Sequence, residues 1–177
     1  DVAKPVCITT DEEGQDHFKK HPAVGADMAK QILRRLKFDN KTIDCCCRLV
    51  KEHDDRPQIT PKNVRRAMSR IGAGLFPMLF EVKRADMLGQ SLYKRKEKMA
   101  YIDEFERVYN EILSDDQCVS KKDMKINGRD LIDLGMEPGQ KLGEILDKLY
   151  EMVLDDPELN DHEKLIEHAN KIISTLI

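Results

Sequence analysis

Apolar side chains return every three or four residues along most of this chain, and that spacing commits it to helices. Val24, Met28, Ile32, Leu33 and Leu36 form one such stripe, and a period near 3.6 puts them on a single face. Pro22 suits the first turn of that helix, which is expected to end near Phe38. Asp39 is the expected N-cap of a second helix with Ile43, Cys46, Cys47 and Val50 inward. Thr60-Pro61 opens a third, with Val64, Met68 and Ile71 on its core side and Gly72 and Gly74 ending it. A fourth is expected over 75–87, with Leu75, Leu79 and Val82 inward. A longer one is expected over 92–114, burying Met99, Ile102, Phe105, Tyr109 and Ile112. Beyond it, Ser120 caps a short helix, and another runs from Asn127-Gly128 to Gly135. Pro138 opens the next, with Ile145, Leu149 and Val153 inward, and Asn160 caps the last. Residues 1–20 read as loop. Val and Thr are sparse, and no strand alternation of useful length occurs, so the fold class is all-α.

The 177 residues suffice for one helical domain or two small ones. The expected division is a helical domain over 1–91, a connecting helix over 92–114 and a C-terminal helical unit over 115–177. Net charge is −3, so a nucleic-acid role must rest on local basic patches rather than bulk charge. No apolar run approaches the roughly 20 residues of a membrane span. The five cysteines are Cys7, Cys118 and the run Cys45–Cys46–Cys47, with no CxxC pair. That is neither a disulfide framework nor a zinc signature, and it fits a reducing cytoplasm. Cys46 and Cys47 read as small core hydrophobes.

His17 and His21 are four apart, but Pro22 places His21 at a helix start and His17 in the loop before it. His53 ends the second helix, where a cation would complement the helix dipole. Asp86 falls four residues after Val82, on the expected apolar stripe of the fourth helix. A carboxylate there needs a partner: either a metal or an arginine such as Arg65 or Arg66.

Several stretches resemble a known family. "DVAKP" is similar to the end of the His-Asp signature of HD-domain proteins. "DHFKKHPAVGADMAKQILRRLKFDN", "LVKEHDD", "LFPMLFEVKRADMLGQS" and "INGRDLIDLGMEPGQKLGEILDKLYEMVLDDPELN" together resemble the region of bacterial CCA-adding tRNA nucleotidyltransferases that follows the catalytic head. The resemblance implies a histidine before Asp1 and a metal-binding head further upstream. No Gly-Ser followed by Asp-x-Asp occurs in this chain, so no nucleotidyl-transfer residue is expected in it. The resemblance also implies a divalent-metal site of Asp1, His21, His53 and Asp86, with Lys4 steadying a phosphate. Such a site would take magnesium, manganese, nickel, iron or zinc, and the missing upstream ligands imply it is incomplete here.

The implied partner is the tRNA acceptor arm. Lys94, Arg95 and Lys98 crowd one helix start, and Lys121, Lys122, Lys125 and Arg129 precede or open the next small helices. "EPGQKLG" offers backbone N–H groups with Lys141 beside them. The bland alternative is a set of solvated faces, with Glu97, Glu104 and Glu106 nearby. Two other readings stand beside the tRNA one: a metal-dependent HD phosphohydrolase and a helical interaction module without a ligand.

Overall fold

The computed structural model describes residues 2–90 and 92–175. Among these, nine α-helices, three short 3-10 helices and one two-stranded hairpin make up the regular structure. The first twenty residues, expected as loop, hold helix α1 (Lys4–Cys7) and strands β1 (Thr9–Thr10) and β2 (Asp16–His17), paired antiparallel. Asp11 makes this turn. Its carboxylate accepts from the backbone N–H of Glu13 and Gln15, at 3.0 and 2.8 Å, and contacts His17 Nε2 at 2.7 Å. These three contacts of Asp11 fix a short hairpin that has no hydrophobic alternation to announce it.

Helices α2 (His21–Arg35) and α3 (Asn40–Glu52) follow, then α4 (Pro61–Ile71) and α5 (Phe76–Gly89). The expected caps hold: Asp39 accepts from Thr42 N, and Thr60 from Asn63 N. Helix α6 (Arg95–Ser114) begins three residues later than expected. Beyond it lie α7 (Gly128–Asp133), α8 (Gln140–Asp155) and α9 (His162–Ser174). The cap of α9 is Asp161, which accepts from Lys164 N, and not Asn160. Asn160 is used differently, holding the segment before α7 through Lys125 N and Asp123 O.

The chain forms two compact units, neither continuous in sequence. One comprises 1–57 and 73–104; the other comprises 58–72 and 105–177. In the first, α2 packs along α3, and Gly25 is why they come close: a Cβ there would stand 3.3 Å from Val50 Cγ1. Ile43, Leu49, Phe76, Leu79, Phe80 and Met87 are buried in this unit, with Phe76 and Phe80 edge to face. Cys45, Cys46 and Cys47 are each half-buried, so the cysteine run lines the core without filling it. In the second unit, Leu131, Ile145, Leu149, Val153 and Leu165 form a core between α7, α8 and α9. Val64, Met68 and Ile71 of α4 are buried there as expected.

Candidate functional site: a facing histidine pair

The inner stripe of α5 differs by one position from the expected one, and this reassigns the polar residues beside it. Phe76, Leu79, Phe80, Lys83 and Met87 are buried, while Leu75 and Val82 are only half-buried. Asp86 therefore flanks the stripe, with 22% of its side chain exposed. The charge on the stripe is Lys83, which the sequence reading missed although 76, 79, 80, 83 and 87 keep helical spacing. Its ammonium donates to the carbonyls of His53 at 2.8 Å, Asp55 at 2.6 Å and Glu52 at 3.4 Å. It thereby closes the C-terminal end of α3, where orphan carbonyls gather. Burial pushes its pKa down to about 8, against the pull of the Asp55 and Asp54 charges.

That clamp holds His53, the residue after α3. The His53 ring contacts Val50 O through Nδ1 at 2.6 Å. His21, the first residue of α2, does the same with Phe18 O at 2.8 Å. Lys20, at φ 66, makes the sharp turn that allows it. A carbonyl only accepts, so each Nδ1 carries the hydrogen. In the neutral rings both Nε2 atoms then present lone pairs, and these face each other at 3.3 Å. Both rings are buried, at 7% and 8% exposure. Two imidazole nitrogens on one zinc-like ion at about 2.1 Å lie roughly 3.0–3.4 Å apart, so the 3.3 Å separation is compatible with both rings holding one ion set off the line between them.

His21, His53, Asp86 and Lys4 line one open hollow, with Asp54 and Gln90 also on its wall. Asp86 accepts from Gln90 Nε2 at 2.6 Å and lies 4.0 Å from Lys4 Nζ. Arg65 and Arg66, weighed as its partners, are engaged elsewhere: Arg65 with Leu154 O and Asp155 O, Arg66 with Glu151 and Asp155. Asp1 lies outside the described residues. Among the described residues, no three His, Cys, Asp or Glu side chains gather as a metal-ligand set.

The basic residues divide between the units. Arg95 donates to Leu88 O and Gln90 O, and Lys98 to Gln90 Oε1, so both are tied to the end of α5. Lys94 is exposed, its ammonium 5.5 Å from the Tyr93 ring centroid. Lys121 pairs with Asp147. Lys122, Lys125, Arg129 and Lys141 are exposed.

Compared with known sequences, residues 22–169 match the family tRNA nucleotidyltransferase domain 2. The chain belongs to this family. As a tRNA nucleotidyltransferase domain 2 protein, it is similar to an A-adding tRNA nucleotidyltransferase of Deinococcus radiodurans, 30% identical over 85% of this chain and 35% of that one. It is similar also to a CC-adding tRNA nucleotidyltransferase of Thermus thermophilus, 29% identical over 85% of this chain and 33% of that one. A CCA-adding enzyme of Ligilactobacillus salivarius matches at 47% identity over 30% of the chain and 14% of its own length. The tRNA nucleotidyltransferase domain 2 chain thus spans about a third or less of these curated relatives. No solved structure matches it significantly. No described helix of the domain is long and apolar enough to cross a membrane.

Proposed function

We propose that this chain is the tRNA-holding region of a CCA-adding-type tRNA nucleotidyltransferase, whose head transfers CMP or AMP to tRNA 3′ ends. The observation that carries this is the family match through residues 22–169, which runs across both units. The region supplies positioning, not nucleotidyl transfer. Its partner is the tRNA acceptor arm, held by phosphate contacts that read backbone shape. Lys122, Lys125, Arg129 and Lys141 of the second unit are the exposed cations best placed for this, with Lys94 in the first. Fluorescence anisotropy with a labelled acceptor-arm minihelix tests it. Binding should weaken with salt, and Lys122→Glu with Arg129→Glu should lower the log–log salt slope by about 2. Equal slopes for variant and wild type would remove these residues from the interface.

A second reading attaches to the histidine pair, because its two Nε2 atoms stand at a separation that two ligands of one divalent cation have. His21 and His53 would hold the ion through Nε2, with Asp86 and Lys4 on the same hollow's wall. Such an ion polarises a phosphate oxygen and acidifies a bound water, which is the chemistry of an HD phosphohydrolase. Asp86 would then accept a proton, and Lys4 would hold the anionic group. Calorimetric titration with nickel or zinc should show one site that His53→Asn abolishes. Wild type without heat of binding would remove the metal reading.

A further inference from the structure

Asn160 ends the short 3-10 helix Pro157–Leu159, one residue before the cap of α9. Its side chain is spent on a segment far earlier in the chain. Oδ1 accepts from Lys125 N at 2.9 Å, and Nδ2 donates to Asp123 O at 3.0 Å. An amide offers an acceptor and a donor side by side. Of the side chains this size, Asp could make only the first bond and Leu neither. The segment so held is tied at further points. Asp123 turns its carboxylate back onto Val119 N and Ser120 N, at 3.2 and 2.8 Å. The Tyr150 hydroxyl donates to Val119 O at 2.9 Å. At the other end Asp130 accepts from Asn127 N at 2.7 Å and meets His162 Nε2 at 3.4 Å.

Between these ties Met124 and Ile126 pack into the core of the second unit. Lys125 stands between them and is exposed, because successive side chains of an extended segment point to opposite sides. Lys122 is exposed on the turn before it. Lys121 pairs with Asp147. The two carboxylates among these cations, Asp123 and Asp130, are both turned onto backbone N–H groups. A backbone ordered in advance lowers the entropy cost of binding a partner through the side chains it carries. We propose that Asn160 is a positioning residue for tRNA: by gripping Asp123 O and Lys125 N it presents Lys122 and Lys125 to the phosphates in a preset arrangement. This rests on the tRNA-holding reading and deepens it, since Asn160 acts through the lysines and touches no phosphate itself.

The test is fluorescence anisotropy of the whole chain with the labelled acceptor-arm minihelix over a range of salt. Asn160→Ala should weaken binding about tenfold, an ordering cost that the wild type meets before binding. It should also lower the log–log salt slope by about 1, because Lys125 no longer makes a fixed phosphate contact. In a background of Lys122→Gln with Lys125→Gln, the same substitution should change affinity by less than about twofold, since the groups it acts through are gone. Ile145→Val loosens the same unit's core without touching the loop. It should leave the slope unchanged and the affinity within about twofold of wild type. If Asn160→Ala does not fold, Asn160→Gln carries the amide one methylene further out and is put through the same two backgrounds. A folded Asn160 variant that binds as wild type does overturns the proposal. An equal loss in both backgrounds overturns it too, because the asparagine then acts through something other than the lysines. An equal loss with Ile145→Val overturns it as general destabilisation. Wild type without salt-dependent binding is a different failure: it removes the tRNA-holding reading itself, and this inference with it.

Discussion

Lys83 decides more of the first unit than any residue the spacing pointed to. A buried ammonium is costly unless its hydrogens are used, and here three carbonyls at the end of α3 use them. Lys83→Met leaves those carbonyls without their donor and should cost about 1–3 kcal/mol of stability at pH 7 in urea denaturation. The pH dependence has a definite sign. Burial lowers the folded pKa to about 8 from an ordinary 10.5, so the unfolded chain holds the proton more tightly. Between those two values the unfolded state binds more protons, and wild-type stability rises with pH. The gap between wild type and Lys83→Met should therefore widen from pH 8 to 10.5, and a constant gap would place the lysine's charge elsewhere. Asp86 was legible as an anomaly in the sequence, but Lys83 was not, because a one-position rotation of the α5 stripe hides one and displays the other.

At the scale of elements, helix ends carry the specificity. Arg65 lies on α4 and is buried, yet its guanidinium donates to Leu154 O, Asp155 O and the Gln117 side chain. It caps α8 across 89 residues of sequence. Its neighbour Arg66 makes partly exposed ion pairs with Glu151 and Asp155. Arg65→Ala should cost about 3 kcal/mol, and Arg66→Ala at most about 1 kcal/mol, measured by the same denaturation assay. Equal costs would mean the buried cap contributes no more than a surface pair. The helices themselves, their starts at Asp39, Thr60 and Asn127, and the core stripe of α4 were readable from the sequence, because capping and amphipathic spacing are local; α2 instead buries His21, Gly25 and Ala26 and leaves Leu36 exposed. The hairpin was not, since Asp11 and Thr10 build it from side-chain hydrogen bonds instead of alternation.

For the whole molecule, the second unit draws on two separate stretches, 58–72 and 105–177. A fragment of residues 105–177 lacks Arg65, Val64 and Met68, and with them the α4 side of its core. It should lose cooperative thermal unfolding by circular dichroism, and addition of a 58–72 peptide should restore part of the signal. A sharp transition in the fragment alone would show that α4 is dispensable. The sequence by itself determined that this chain is helical, where most helices begin, and which family its motifs resemble, because those signals are carried by neighbours within a few residues. Only the tertiary structure decided that two histidines 32 apart turn their Nε2 atoms on each other, that a lysine seals the helix holding one of them, and that Asn160 holds a segment 35 residues before it. Those facts depend on rotamers and on contacts between distant segments, and no periodicity encodes them.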